Sequence, residues 1–174
     1  MLKRLSLIDW LLQVINHPRY DDRTKDYDIT LVELNSDAPL SDNVKPVCLP
    51  TPSSNFPPGK MCTVTGFGLL SEGGEQATKL MKAYVPIIDS EKCAQSYGQI
   101  SEVKLCPGYD QGRIDACGGD SGGHLVCSEN GKAYLAGVVS AGIECGRPNY
   151  PGLYANVKSL IDWIETTTGG AKWQ

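Results

Sequence analysis

Short apolar runs separated by turn residues fill most of the chain, and that pattern restricts it to a β architecture. The runs are Ile29 to Leu34, Cys62 to Phe67, Lys79 to Ile88, Leu125 to Cys127, Tyr134 to Ser140 and Gly152 to Val157. Gly, Pro, Asn, Asp and Ser lie between them, so a barrel or sandwich is expected. One segment has a different period. Val157, Leu160, Ile161 and Ile164 fall at i, i+3, i+4 and i+7, which puts four apolar side chains on one helical face. A helix is therefore expected from about Val157 to Thr167, closing an all-β chain. At 174 residues the length suits one domain, and 41% hydrophobic residues are enough for a packed core.

Charge and hydropathy exclude other classes. A net charge of −4 offers no basic surface for nucleic acid. No apolar run is long enough to cross a bilayer. Met1 to Ile15 begins like a secretory leader, with Lys3 and Arg4 before an apolar stretch. Asp9 interrupts that stretch and no small-x-small cleavage site follows, so it reads as a strand or helix of the domain. Thr51 to Gly59 is a Pro/Ser loop, and residues 169–174 read as a frayed tail.

Seven cysteines occur, without a Cys-x-x-Cys and with only two histidines, so a disulfide framework is favoured over a zinc site. Such a framework implies an oxidising compartment. The odd number leaves at least one cysteine without a partner in this chain.

The densest chemistry lies in Gly112 to Gly123. There Ser121 sits among four glycines, with Asp120 beside it and Asp115 six residues upstream. Glycines allow sharp turns and let a substrate approach backbone N–H groups. A serine nucleophile needs that setting: an exposed hydroxyl, with donors at hand for a developing oxyanion.

Gly119-Asp120-Ser121-Gly122-Gly123 resembles the nucleophile motif of the chymotrypsin/trypsin-like serine proteases. Further motifs follow the family's order. His17-Pro18-Arg19-Tyr20 is similar to its HP-x-Y loop, and Asp28-Ile29-Thr30-Leu31 to the motif carrying its aspartate. Pro46-Val47-Cys48-Leu49-Pro50 is similar to the linker between its barrels. Thr65-Gly66-Phe67-Gly68 stands where S-G-W-G is usual, and Pro151-Gly152-Leu153-Tyr154 precedes the final helix. The resemblance covers roughly Val14 to Thr166. It implies a double β-barrel, with residues 1–60 a remnant of the first barrel plus linker and residues 61–168 the second barrel with its C-terminal helix.

The resemblance also implies roles. Ser121 is the expected nucleophile, and the N–H groups of Gly119 and Ser121 the expected oxyanion hole. Asp28 would orient a histidine base. Asp115 would form the floor of a pocket for Arg or Lys, with Gly142 and Gly152 as its open walls. Ser140-Ala141-Gly142 would pair with substrate as an added strand. The implied disulfides are Cys62–Cys127, Cys93–Cys106 and Cys117–Cys145. Cys48 is left over, in a position that in many relatives tethers an upstream segment. Expected partners are peptides with Arg or Lys at the cleavage site and serine protease inhibitors, outside the cell or at its surface. No metal or cofactor is implied.

Three departures border this site: Ala141 for tryptophan, His124 for proline and Gly118 for a larger residue. Two parts are missing. No T-A-A-H-C motif supplies the base; His17 belongs to a loop remote from the chemistry, and His124 only follows Ser121. No I-V-G-G start supplies the ammonium that would pair with Asp120, which is then expected to protonate or turn outward. The expectation is thus an N-terminally truncated trypsin-like endopeptidase, inactive as this chain. The alternative is a catalytically dead homologue that acts as a binding module.

Overall fold

In a computed structural model that describes residues 11–170, every second residue of the barrel strands faces inward. Strand β1 is Leu11–Asn16, β2 Thr30–Leu34, β3 Met61–Gly66 and β4 Met81–Ile88. Helix α1, Ser90–Tyr97, precedes β5, Lys104–Pro107. Then come β6, His124–Glu129, β7, Lys132–Ala141, and β8, Leu153–Asn156. A 3-10 turn at Val157–Leu160 leads into helix α2, Ile161–Thr167.

Strands β3 to β8 close into a barrel in the order β3-β4-β5-β8-β7-β6. Its core holds Cys62, Val64, Val85, Ile87, Leu125, Cys127, Ala136 and Tyr154. These alternate with outward residues, as period-2 geometry requires. Burying each of the larger aliphatic side chains contributes about 1.5–3 kcal/mol. The β6–β7 hairpin turns through Asn130 and Gly131, both at positive φ (49° and 76°). An Asn-Gly pair suits a two-residue turn of that hand.

The three disulfides are Cys62–Cys127, Cys93–Cys106 and Cys117–Cys145, and Cys48 is free. Cys62 and Cys127 face each other across β3 and β6, so the bond staples neighbouring strands of the core. Replacing both by Ala is expected to lower stability by about 2–4 kcal/mol. Urea unfolding of the oxidised protein, compared with the variant, measures it; an unchanged midpoint would show that the staple adds nothing.

Before the barrel, β1 and β2 form a separate two-stranded sheet, with Val14 opposite Val32 and Ile15 opposite Leu31. Leu12, Val14, Val32 and Leu34 are exposed on it. Tyr27 and Ile29, just before β2, pack on Val103, Ala155 and Leu160 and so fasten this sheet to the barrel. The linker then runs beside β7: the Cys48 N–H donates to the Ala133 carbonyl, and the Leu135 N–H donates back to Cys48.

Two local expectations change. The C-terminal helix does not begin at Val157. Its first four residues form the tighter 3-10 turn, and Leu160 sits off helical geometry at φ −111° and ψ 2°. Val157, Leu160 and Ile164 are buried as the helical face requires, whereas Ile161 is only half-buried. Gly169 and Gly170 remain tied to α2, through N–H bonds to Thr166 and Glu165. Met1 to Trp10, most of the stretch read as strand or helix, and residues 171–174 of the tail lie outside the described residues.

Candidate active site

The turn-forming segment from Gly112 to Gly123 folds back against β3 and β7. Gly119 and Gly122 take φ of 94° and 79°, a region closed to most side chains. The Gly122 N–H donates to Val139 and the Gly123 N–H to Asp120, which pins the turn around Ser121. Among the described residues no acceptor pairs with the N–H of Gly119 or of Ser121. Both are free for an incoming oxygen.

Asp120 does not turn outward. It is half-buried, and its Oδ1 accepts from the Gly68 N–H (2.8 Å) while Oδ2 accepts from the Cys117 N–H (3.0 Å). Two amide donors take the place expected of a cation, which lowers the cost of keeping the carboxylate inside. The Gly66-Phe67-Gly68 turn permits this approach. A Cβ on Gly66 would lie 1.9 Å from Asp120 Oδ1, and one on Gly68 would lie 2.5 Å from the carboxylate.

Asp115, Ser121, Ser140, Gly142 and Gly152 line one cavity of about 190 Å³. The Asp115 carboxylate accepts from its neighbour's N–H at Ala116 (2.8 Å) and from Gly146 (3.1 Å). Burial pushes Asp115 up to about 6, and the two N–H bonds oppose that rise. A Cβ on Gly152 would lie 2.8 Å from Asp115 Oδ1 and equally near the Tyr154 ring. Glycine at 152 therefore keeps the carboxylate open to the cavity. Gly118 and Ala141 also line it and leave its mouth wide.

Asp28 lies just before β2, half-buried, where its Oδ2 accepts a 2.6 Å hydrogen bond from the Ser140 hydroxyl of β7. One bond thus joins the small sheet to the strand edge beside the cavity. Neither histidine stands ready as a base for Ser121. His17 is buried, stacked on Tyr27 at 4.7 Å and close to Trp163 at 4.5 Å. Its Nδ1 accepts from the Arg19 N–H, and burial lowers its pKa, so it stays neutral and structural. His124 is exposed on β6, with Nε2 at 2.7 Å from Thr65 Oγ1.

Two residues of the cavity escaped the sequence reading. Tyr154 lines it and is 1% exposed, yet its hydroxyl has no hydrogen-bond partner among the described residues. Its place in the Pro-Gly-Leu-Tyr element was the available signal. Glu144 lines the cavity from the segment before Cys145, at φ 59°. Nothing in the local pattern marks it. Glu72, Cys117 and Cys145 offer ligand atoms within 4.8 Å of one another, but the two sulfurs are bonded together and hold no thiolate for a metal.

Comparison with known proteins agrees with this architecture. The trypsin family profile matches residues 8–164. Over 159 residues the chain is 42% identical to rat transmembrane protease serine 9, across 90% of this chain and 15% of that protein. Over 172 residues it is 42% identical to mouse transmembrane protease serine 11E, across 97% of this chain and 41% of that protein. The chain therefore spans less than half the length of either relative. A closed six-stranded barrel with its C-terminal helix, a Gly-Asp-Ser-Gly-Gly turn at the cleft and these matches place the chain in the trypsin family of serine proteases.

Proposed function

We propose that this cleft is built to hold the Arg or Lys side chain of a protein substrate whose following peptide bond Ser121 attacks. The observation that carries this reading is that the Asp115 carboxylate and Ser121 line the same cavity. A cationic side chain entering it meets a half-buried anion, and the pairing offsets desolvation on both sides. In this reading the Gly119 and Ser121 N–H groups receive the carbonyl oxygen as it becomes tetrahedral. Gly142 and Gly152 keep the cavity open, and Ser140 to Gly142 align the substrate as an added strand. Asp28 is the group that orients an imidazole.

The same reading holds the 174 residues by themselves to be catalytically silent. Both histidines are occupied elsewhere, so a base over Ser121 has to come from outside these residues. Asp120 also lines a neighbouring cavity of about 170 Å³, through which an ammonium can reach it. Trading two amide bonds for that ion pair would reset the turn at Gly119 and Ser121. Serine protease inhibitors that present Arg or Lys fit the same cleft. The three disulfides favour a secreted or cell-surface setting, in which Cys48 is available to an upstream segment. Among the described residues no helix is long and apolar enough to cross a membrane.

A second reading, a binding module without catalysis, is favoured by the engaged histidines. It uses the same pocket. Titration with benzamidine, an aryl amidinium that resembles an arginine end, tests the pocket directly. Asp115 must be ionised to hold it, and the carboxyl titrates near pH 6. Affinity should be level above pH 7 and fall about tenfold per unit below 6. A flat affinity between pH 5 and 8 would remove Asp115 as the anchor.

A further inference from the structure

We infer that the pocket is a two-anion site, in which Asp115 and the Tyr154 hydroxyl hold one cationic side chain of a peptide and Glu144 at the rim holds a second. The inference rests on the Arg/Lys reading above and narrows it to substrates with two neighbouring basic residues.

Three observations converge on it. The first is an unanswered polar group inside. Tyr154 is 1% exposed, its hydroxyl has no partner among the described residues, and it lines the cavity with Asp115. Its ring and the Asp115 carboxylate approach the same glycine, Gly152. A buried hydroxyl without a partner is costly, and an entering ammonium or guanidinium satisfies it by donating to its oxygen. An apolar side chain in the same space would leave it orphaned.

The second is Glu144. It lines the same cavity at φ 59°, a conformation that glycine takes freely and a long side chain does not. Its backbone is fixed by the next residue, Cys145, which is bonded to Cys117 on the other side of the cavity. A carboxylate is thus held at the rim despite an unfavourable backbone.

The third is what Glu144 now touches. The Arg147 guanidinium donates to Glu144 Oε1 at 3.3 Å, and both side chains are about half exposed, at 44% and 53%. An exposed pair of this kind is weak and exchanges readily. Arg147 also has another support, since its guanidinium carbon lies 4.8 Å from the Tyr150 ring centre. A substrate cation can therefore replace Arg147 at Glu144 without stranding it. Arg147 is the chain's own stand-in for the second basic residue. That residue lies on the N-terminal side of the first, because Ser140 to Gly142 border the cavity beside Glu144. The small side chain of Ala141 leaves the way between them open.

The test compares noncovalent peptides by calorimetry at low salt. One set is acetyl-Ala-Ala-Ala-Arg as the free acid; the others carry a second Arg at each of the three preceding positions. At least one dibasic peptide should bind about fivefold tighter than the monobasic one. That ratio should fall to near one in Glu144→Gln and rise in Arg147→Ala, where the internal competitor is gone. If the monobasic peptide binds in an Asp115-dependent way but the ratio is one, or survives Glu144→Gln, the two-anion inference is overturned and the Arg/Lys pocket stands. If no peptide binds and Asp115→Ser changes nothing, both fail.

Discussion

Asp115→Ser should weaken benzamidine binding by about 30- to 1,000-fold, corresponding to about 2–4 kcal/mol. The magnitude follows from removing one partner of a charge pair in a half-buried cavity. Serine retains a hydroxyl but no charge, so an amidinium entering the cavity loses its solvation and gains only neutral hydrogen bonds. The N–H groups of Ala116 and Gly146, which now donate to Asp115, would also be left unpaired or met only in part. Fluorescence or calorimetric titration at pH 7.5 is the measurement. At that pH wild-type Asp115 is ionised, since it titrates near 6. Affinity within about threefold of wild type would show that the cation is held by something else in the cleft. In a form of the protein that cleaves peptides, the same change should erase the preference for Arg and Lys.

A fluorophosphonate probe should label Ser121 of the 174-residue chain at a negligible rate. Such probes report a serine whose proton is taken by an oriented base. In serine proteases that depend on this arrangement, loss of the base alone costs about 10⁶ in kcat. His17 is locked between Tyr27 and Trp163, and His124 faces Thr65, so neither supplies the missing step. Labelling monitored by mass spectrometry over hours, against Ser121→Ala, gives the answer. Rapid labelling that vanishes in Ser121→Ala would overturn the claim. Repeating it with His124→Gln would then identify the substitute base.

The sequence was legible where its physics is local. Alternation placed β3, β4, β6, β7 and β8 within a few residues, because their inward side chains recur at every second position. The Gly-rich turn was legible because positive φ at Gly119 and Gly122 admits few other residues. Two short elements were not. Helix α1 buries only Cys93 and so carries no apolar stripe. Its available mark was Asp89, whose side chain caps the Glu91 N–H at 2.8 Å. Strand β5 has four residues and ends in Pro107, too little for a period to show. In the site, pairings over long separations stayed hidden. Asp28 with Ser140, and Asp120 with the Gly68 amide, depend on tertiary closure that no window of sequence contains. The disulfide partners followed from family resemblance, since counting alone leaves many pairings open.

The contact between His17 and Trp163 makes the far end of the chain a strut for its beginning. Trp163 belongs to α2, while His17 and its stacking partner Tyr27 bracket the loop that delivers Asp28. Wear at the C-terminus would therefore be felt at the opposite end. A carboxypeptidase that trimmed past Trp163 would free the His17 ring and slacken the Asp28 loop, while the barrel, cross-linked and closed, stayed whole. The order around Asp28 is in that sense a gauge of whether the last helix is intact.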